Sequence, residues 1–244
     1  MIETTELAYR DGATALKGLI AHDTARKGKR PGVVVFHEAP GLGPHVKRRI
    51  KMLAELGLVA LAADLFGDGQ MLEGEAMTAR MAAFTKSAGP LRARLIAALD
   101  ALRGVRDVDP ARIAAIGYCM GGSCALELAR SGADVSGVVS FHGVLATTAP
   151  AAAGAVKAKV LVCAGAIDPL VPPAQVRAFE DEMSAAGVDW QLVMYGGAAH
   201  SFTNADRVPG VTPGFEHHPD ADRRSWRAMC GFFDELFGTS ADIP

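Results

Sequence analysis

Residues 117–123 read GYCMGGS, and the fold of the chain turns on how this stretch is read. Gly-x-Ser-x-Gly marks a nucleophile on a sharp turn between a strand and a helix. Gly117, Cys119 and Gly121 fill its three defining places, with sulfur where oxygen is usual. The motif alone leaves two readings open: Cys119 is the nucleophile of such a turn, or it is a small buried thiol in a glycine-rich bend. A phosphate cradle is disfavoured, because GYCMGGS has neither the GxGxxG spacing nor the lysine of a P-loop.

Working outward, RIAAIGY (112–118) before the motif reads as a buried strand, and a helix is expected over 121–131. Further dense apolar runs are VVVFH (33–37), LVALAAD (58–64), VSGVVSFHG (135–143), KVLVCAG (159–165) and WQLVMYG (190–196). Between them lie segments of helical period: Val46, Ile50, Leu53 and Leu56; Leu91 to Leu102; Val176, Phe179, Met183 and Ala186; Trp226, Met229, Phe233 and Leu236. IETTELAY and ATALKGLIAH flank Asp11-Gly12, which suits a tight hairpin turn. Residues 65–90 are less regular. Buried strands alternating with amphipathic helices predict an α/β fold, a mostly parallel doubly wound sheet opened by an antiparallel hairpin. No repeat or linker divides the chain, so residues 1–244 are expected to form one domain.

Composition excludes several classes of function. Of 244 residues, 50% are hydrophobic and 21% charged, and the net charge is -2, which argues against a nucleic-acid or membrane partner. The N-terminal MIETTELAYRDG lacks the apolar core of a secretory signal. Cys119, Cys124, Cys163 and Cys230 show neither CxxC spacing nor a disulfide framework, so a cytoplasmic protein with free thiols is expected.

In such sheets reacting groups gather beyond the carboxyl ends of the strands. Glu38 follows VVVFH, Cys119 follows RIAAIGY, Asp168 follows KVLVCAG and His200 follows WQLVMYG. The order nucleophile, acid, histidine is that of an α/β-hydrolase triad. Cys119 would stand at a helix N-terminus, where unpaired amides favour a thiolate. His200 would move the proton and Asp168 would orient its ring. The amides of Met120 and Ala39 are the expected oxyanion donors. His142, after VSGVVSF, is placed either beside the elbow or in strand-end packing. Ser123 is expected to pack the helix on the sheet. Glu216, His217, His218, Asp220 and Asp222 cluster late in the chain without a metal-site spacing, so no metal and no organic cofactor are expected.

These residues resemble the dienelactone hydrolase family of α/β-hydrolases. The similarity is carried by FHEAPGL (36–42), LVALAADLFG (58–67), IGYCMGG (116–122), AGAIDPLVP (164–172) and AAHSF (198–202). It implies a triad of Cys119, His200 and Asp168, with Glu38 as the carboxylate that takes the thiol proton when substrate binds. A thiol ionises about five or more units more easily than an alcohol, which suits such a switch. One departure stands out. Where dienelactone-cleaving members carry an arginine shortly after the histidine, this chain has Asn204, which cannot pair with a carboxylate. Arg80 is a loose match for the other family arginine. Arg80, His142, Phe202 and Asn204 are the expected substrate contacts.

The sequence therefore reads as a hydrolase of a small carboxylic ester or lactone, monomeric or a small homo-oligomer, and dienelactone itself is not the expected substrate. The rivals are a non-catalytic ligand-binding protein of this fold and a thiol redox protein using Cys119.

Overall fold

The structure, a computed structural model, describes residues 1–238. β1 (Ile2–Asp11) and β2 (Thr14–Asp23) form the expected antiparallel hairpin, turning at Gly12 with φ +53°. β3 (Arg30–Phe36) is buried at every position, as a central parallel strand must be. α1 (Pro44–Glu55) and β4 (Val59–Ala63) follow, then α2 (Gly74–Lys86) and α3 (Ala88–Arg103). The second half runs β5 (Val108–Tyr118), α4 (Met120–Arg130), β6 (Gly137–Phe141), β7 (Lys159–Gly165), α5 (Pro173–Ala185), β8 (Trp190–Tyr195) and α6 (Pro219–Phe237).

One sheet has the order β1-β2-β4-β3-β5-β6-β7-β8. β2 pairs antiparallel with β1 and β4, and all pairs from β4 through β8 are parallel. Alternation along each strand divides the core into two layers. Val34 and Phe36 pack with Leu95, Leu99, Leu128 and Phe179 of α3, α4 and α5. Val33 and Val35 pack on the other face with Ile50, Leu53, Met229 and Phe233 of α1 and α6. Truncating a large side chain in either layer to alanine would cost about 2–5 kcal/mol.

Two expectations need correction. The 65–90 segment is more ordered than its sequence suggests, because Phe84 and Leu72 pack against the first core layer and let α2 form. Pro110 lies inside β5 rather than ahead of it. It is tolerated because β6 pairs with β5 only from Ala114 onward, and the β3 register shifts between Arg30 and Gly32.

Candidate active site

The turn between β5 and α4 is built by close backbone approach. A Cβ on Gly117 would lie 1.8 Å from the Gly121 carbonyl oxygen, and one on Gly121 would lie 2.1 Å from that of Phe36. Neither position admits a side chain. The same contacts press the start of α4 against the end of β3. Cys119, between the two glycines, takes φ +56° and ψ -120°, a strained conformation costing about 1–3 kcal/mol. Its amide is held twice, donating to the Phe141 carbonyl at 3.0 Å and to His142 Nδ1 at 3.0 Å. Among the described residues, neither the Met120 nor the Ala39 amide donates a hydrogen bond to another protein group. Both remain available to an incoming oxygen.

His200 is wholly buried and fixed by its backbone: its amide donates to Gly214 at 2.9 Å, and its carbonyl accepts from Glu216 at 3.0 Å. Phe215 packs edge-on to its ring at 4.8 Å. Nδ1 donates to Asp168 Oδ2 at 2.8 Å, and Asp168 Oδ1 accepts from the Leu170 amide at 2.8 Å. His200 Nε2 is buried and has no hydrogen-bond partner other than its neighbour Cys119. Burial pushes this ring down, but the Asp168 bond and the neighbouring Cys119 outweigh it and raise its pKa to about 9.

Cys119 and His200 open together on a cavity of about 350 Å³, within the range of small-ligand sites. Its wall includes Met81, Phe84, Leu91, Val144 and Leu170. The acidic side chain in that wall is Glu127, which is already paired with Arg92 at 2.9 Å and Arg130 at 3.0 Å. Ser123 is also in the wall, and its hydroxyl donates to the Val144 carbonyl at 2.9 Å, tying α4 to the segment after β6. Cys124 lies there too, and burial pushes its thiol far up, so it stays protonated.

None of Arg80, His142, Phe202 and Asn204 lines this cavity. Arg80 sits over the Phe66 ring at 6.0 Å. Phe202 is wholly buried beneath His142 and Tyr195, with ring centroids 5.1 and 5.5 Å away. His142 faces the backbone of Cys119 instead. Asn204 Nδ2 donates to Glu38 Oε2 at 2.8 Å, so its polar group serves the protein rather than a ligand. Glu38 lines a second cavity of about 330 Å³ with His45, Asn204, Asp206 and Arg207. Burial would raise its carboxyl, but His45 at 3.3 Å, with Arg207 and His200 further off, holds it below the ordinary value.

His45 had no sequence signal beyond its place after the β3 loop. The cavity wall from α2 and α3 was equally hidden, because those helices have weakly amphipathic sequences. In the late loop, His217 contacts Asp222 at 3.4 Å and His218 caps α6 by accepting from the Ala221 amide. No three His, Cys, Asp or Glu side chains among the described residues converge as a metal site. No described helix is long and apolar enough to cross a membrane.

An eight-stranded, mostly parallel sheet with a strained elbow after β5 defines the α/β-hydrolase fold. The family is narrower. Residues 16–237 match the dienelactone hydrolase family, and the chain belongs to it. It is similar to the solved structure m3DLH, at 44% identity and TM-score 0.93 over 97% of this chain and 99% of that one. A dienelactone hydrolase-like promiscuous phosphotriesterase from metagenomic libraries matches at 43% identity and TM-score 0.92, over 97% and 99% of the two chains. A putative carboxymethylenebutenolidase of Methylorubrum extorquens is 27% identical over 86% of this chain and 73% of its own.

Proposed function

We propose that the protein hydrolyses small, uncharged carboxylic esters or lactones with Cys119 as nucleophile. The observation that carries this reading is that Cys119 and His200, whose Nε2 is buried and bonded to no group other than its neighbour Cys119, line the same apolar cavity. Asp168 holds the proton on Nδ1, which leaves Nε2 the atom that exchanges protons with the reacting groups.

In the first half-reaction the thiolate of Cys119 attacks the carbonyl carbon and the carbonyl π pair moves to oxygen. The amides of Met120 and Ala39 receive that oxyanion. Collapse expels the alkoxide, which takes a proton from His200 Nε2, and leaves a thioester on Cys119. Water then gives a proton to Nε2 and attacks the thioester. Collapse breaks the C–S bond, the acid departs, and Glu38 returns its proton to the Cys119 thiolate. Glu38 enters as the acceptor of the thiol proton once ligand binding breaks its bond to Asn204.

Among the described residues of the cavity wall no lysine or arginine stands beside the catalytic His200, which supports an uncharged substrate. A carboxylate buried there without a partner would lose several kcal/mol of solvation, far more than apolar contact could return to a small ligand. The same cavity suits a neutral phosphotriester, and the 43%-identical phosphotriesterase favours that as a second activity.

The test is turnover of p-nitrophenyl acetate, p-nitrophenyl hydrogen succinate, a small lactone and a neutral p-nitrophenyl phosphotriester, repeated with Cys119→Ala and His200→Ala. Both substitutions are expected to lower ester kcat by about 10³-fold or more, and the neutral ester to exceed its anionic counterpart at least about tenfold in kcat/KM. Full activity in Cys119→Ala would refute the mechanism. No turnover of any substrate, with tight ligand binding, would favour a binding protein, and thiol oxidation chemistry alone would favour the redox reading.

A further inference from the structure

A chain of buried polar side chains runs behind the elbow, and the direction of each bond can be deduced. A backbone amide can only donate, so His142 Nδ1, 3.0 Å from the Cys119 nitrogen, presents its lone pair. The proton of the neutral ring is therefore on Nε2, 2.7 Å from Thr203 Oγ1. Thr203 accepts that proton and turns its own toward His45 Nε2 at 3.4 Å. His45 Nε2 also accepts from Arg49 Nε at 3.2 Å, which again fixes a lone pair there. The His45 proton then sits on Nδ1, 3.3 Å from Glu38 Oε2, a polar contact that falls short of hydrogen-bond geometry.

Arg49 anchors the run. Its Nη2 donates to the Thr203 carbonyl at 2.7 Å and pairs with Asp222, and its guanidinium lies over the Tyr118 and Trp226 rings. His142, Thr203, His45 and Arg49 are all buried.

Both ends of the first link are strained. His142 has φ +41° and Cys119 has φ +56°, each a cost of about 1–3 kcal/mol that the surroundings must hold in place. The His142 ring also meets His200 edge-on at 5.4 Å. A charged His142 would oppose the imidazolium that His200 must become, so a ring locked neutral is what the reaction needs. Burial, and then the charges of His200 and Arg49, keep His142 well below its ordinary pKa.

We propose that His142 is a positioning residue for the nucleophile, and that His142, Thr203 and His45 form a one-way polar relay, hydrogen-bonded from the Cys119 amide to His45 and closed on the Glu38 carboxylate by a 3.3 Å polar contact. The relay rests on the reading of Cys119 as nucleophile. It makes the orientation of the elbow depend on where Glu38 is held, so movement of the carboxylate on ligand binding is felt at the sulfur. None of the three touches the reacting atoms.

The test uses the full-length protein, with kcat and KM for p-nitrophenyl acetate, the rate of Cys119 alkylation by iodoacetamide, and circular dichroism to verify folding. His142→Phe removes both ring bonds and is expected to lower kcat about 100-fold, the scale of a misaimed nucleophile, with KM changed less than about threefold. His142→Asn keeps an acceptor on a residue that tolerates positive φ, and should recover about tenfold of that loss. Thr203→Val should lower kcat about tenfold and Thr203→Ser should restore it. In a Glu38→Ala background, which has already lost the far end of the relay, Thr203→Val should cost less than about threefold.

Independent, multiplying effects of Thr203→Val and Glu38→Ala would overturn the relay, as would full kcat in a folded His142→Phe. If His142→Phe does not fold, the Thr203 pair and the Glu38 cycle decide. Cys119→Ala separates the two levels. Activity retained there removes the nucleophile reading itself. Activity lost there, with relay variants at wild-type rates, removes only the relay.

Discussion

Two cavities of nearly equal size, about 350 and 330 Å³, lie beyond the carboxyl ends of the parallel strands, and they are chemically opposite. The first is walled by Met81, Phe84, Leu91 and Val144 and exposes the one reactive pair, Cys119 and His200. The second gathers Glu38, His45, Asn204, Asp206 and Arg207, and several of these are occupied with one another or with neighbours: Asn204 with Glu38, Asp206 with Arg48. A wall that presents unsatisfied reactive groups to apolar space is made for a ligand. A wall of polar groups, several of them paired, is made to hold a carboxylate in position. Size does not distinguish them; the chemistry of their walls does, apolar in the first and polar in the second.

That contrast can be broken most severely at the apolar cavity. Asp168→Asn leaves His200 buried but removes its acceptor, and kcat is expected to fall about 10⁴-fold through loss of the correct tautomer. The same variant carries a stability signature. His200 has its pKa raised from 6.5 to about 9, so the stabilisation it brings is fully present below 6.5 and lost as pH rises through about 9. Thermal melts of the wild type should therefore fall across that window, and those of Asp168→Asn should be flatter. Equal slopes would mean that Asp168 is not what charges the ring.

The polar cavity offers a smaller effect. From the sequence, an arginine at 204 would be expected to create an anion site. In the structure position 204 faces Glu38, so the guanidinium of Asn204→Arg should pair with that carboxylate and leave nothing for substrate. The ratio of kcat/KM for p-nitrophenyl hydrogen succinate over p-nitrophenyl acetate should move less than about threefold, since no new substrate contact forms. A tenfold rise would place residue 204 beside the ligand after all.

The two cavities also differ in how far they were legible. Strand-end residues could be placed because a buried parallel strand is a dense apolar run, and whatever follows it lies at the carboxyl rim; Cys119, Asp168 and His200 were located that way. The elbow was legible through Gly117 and Gly121, which leave no room for a side chain. Side-chain direction was not. Asn204 and Arg80 stood out as polar residues near the site, yet tertiary partners on other elements turn the first to Glu38 and the second over Phe66. His142 was placed beside the elbow as one of two readings, but its bond to a backbone amide 23 residues away was not legible. The apolar wall from α2 escaped for a different reason: burial on that helix comes from tertiary packing of Phe84 rather than from a regular apolar stripe.

The central claim is that the acyl group passes through the sulfur of Cys119. Mixing the protein with excess p-nitrophenyl pivalate, whose bulky acyl group slows deacylation, and quenching in acid for peptide mass mapping tests it directly. The account predicts one pivaloyl group per chain, on the peptide holding Cys119 and absent in Cys119→Ser and His200→Ala. Acylation at Ser123 or another residue, or ester turnover with no acylated peptide at any quench time, would contradict it.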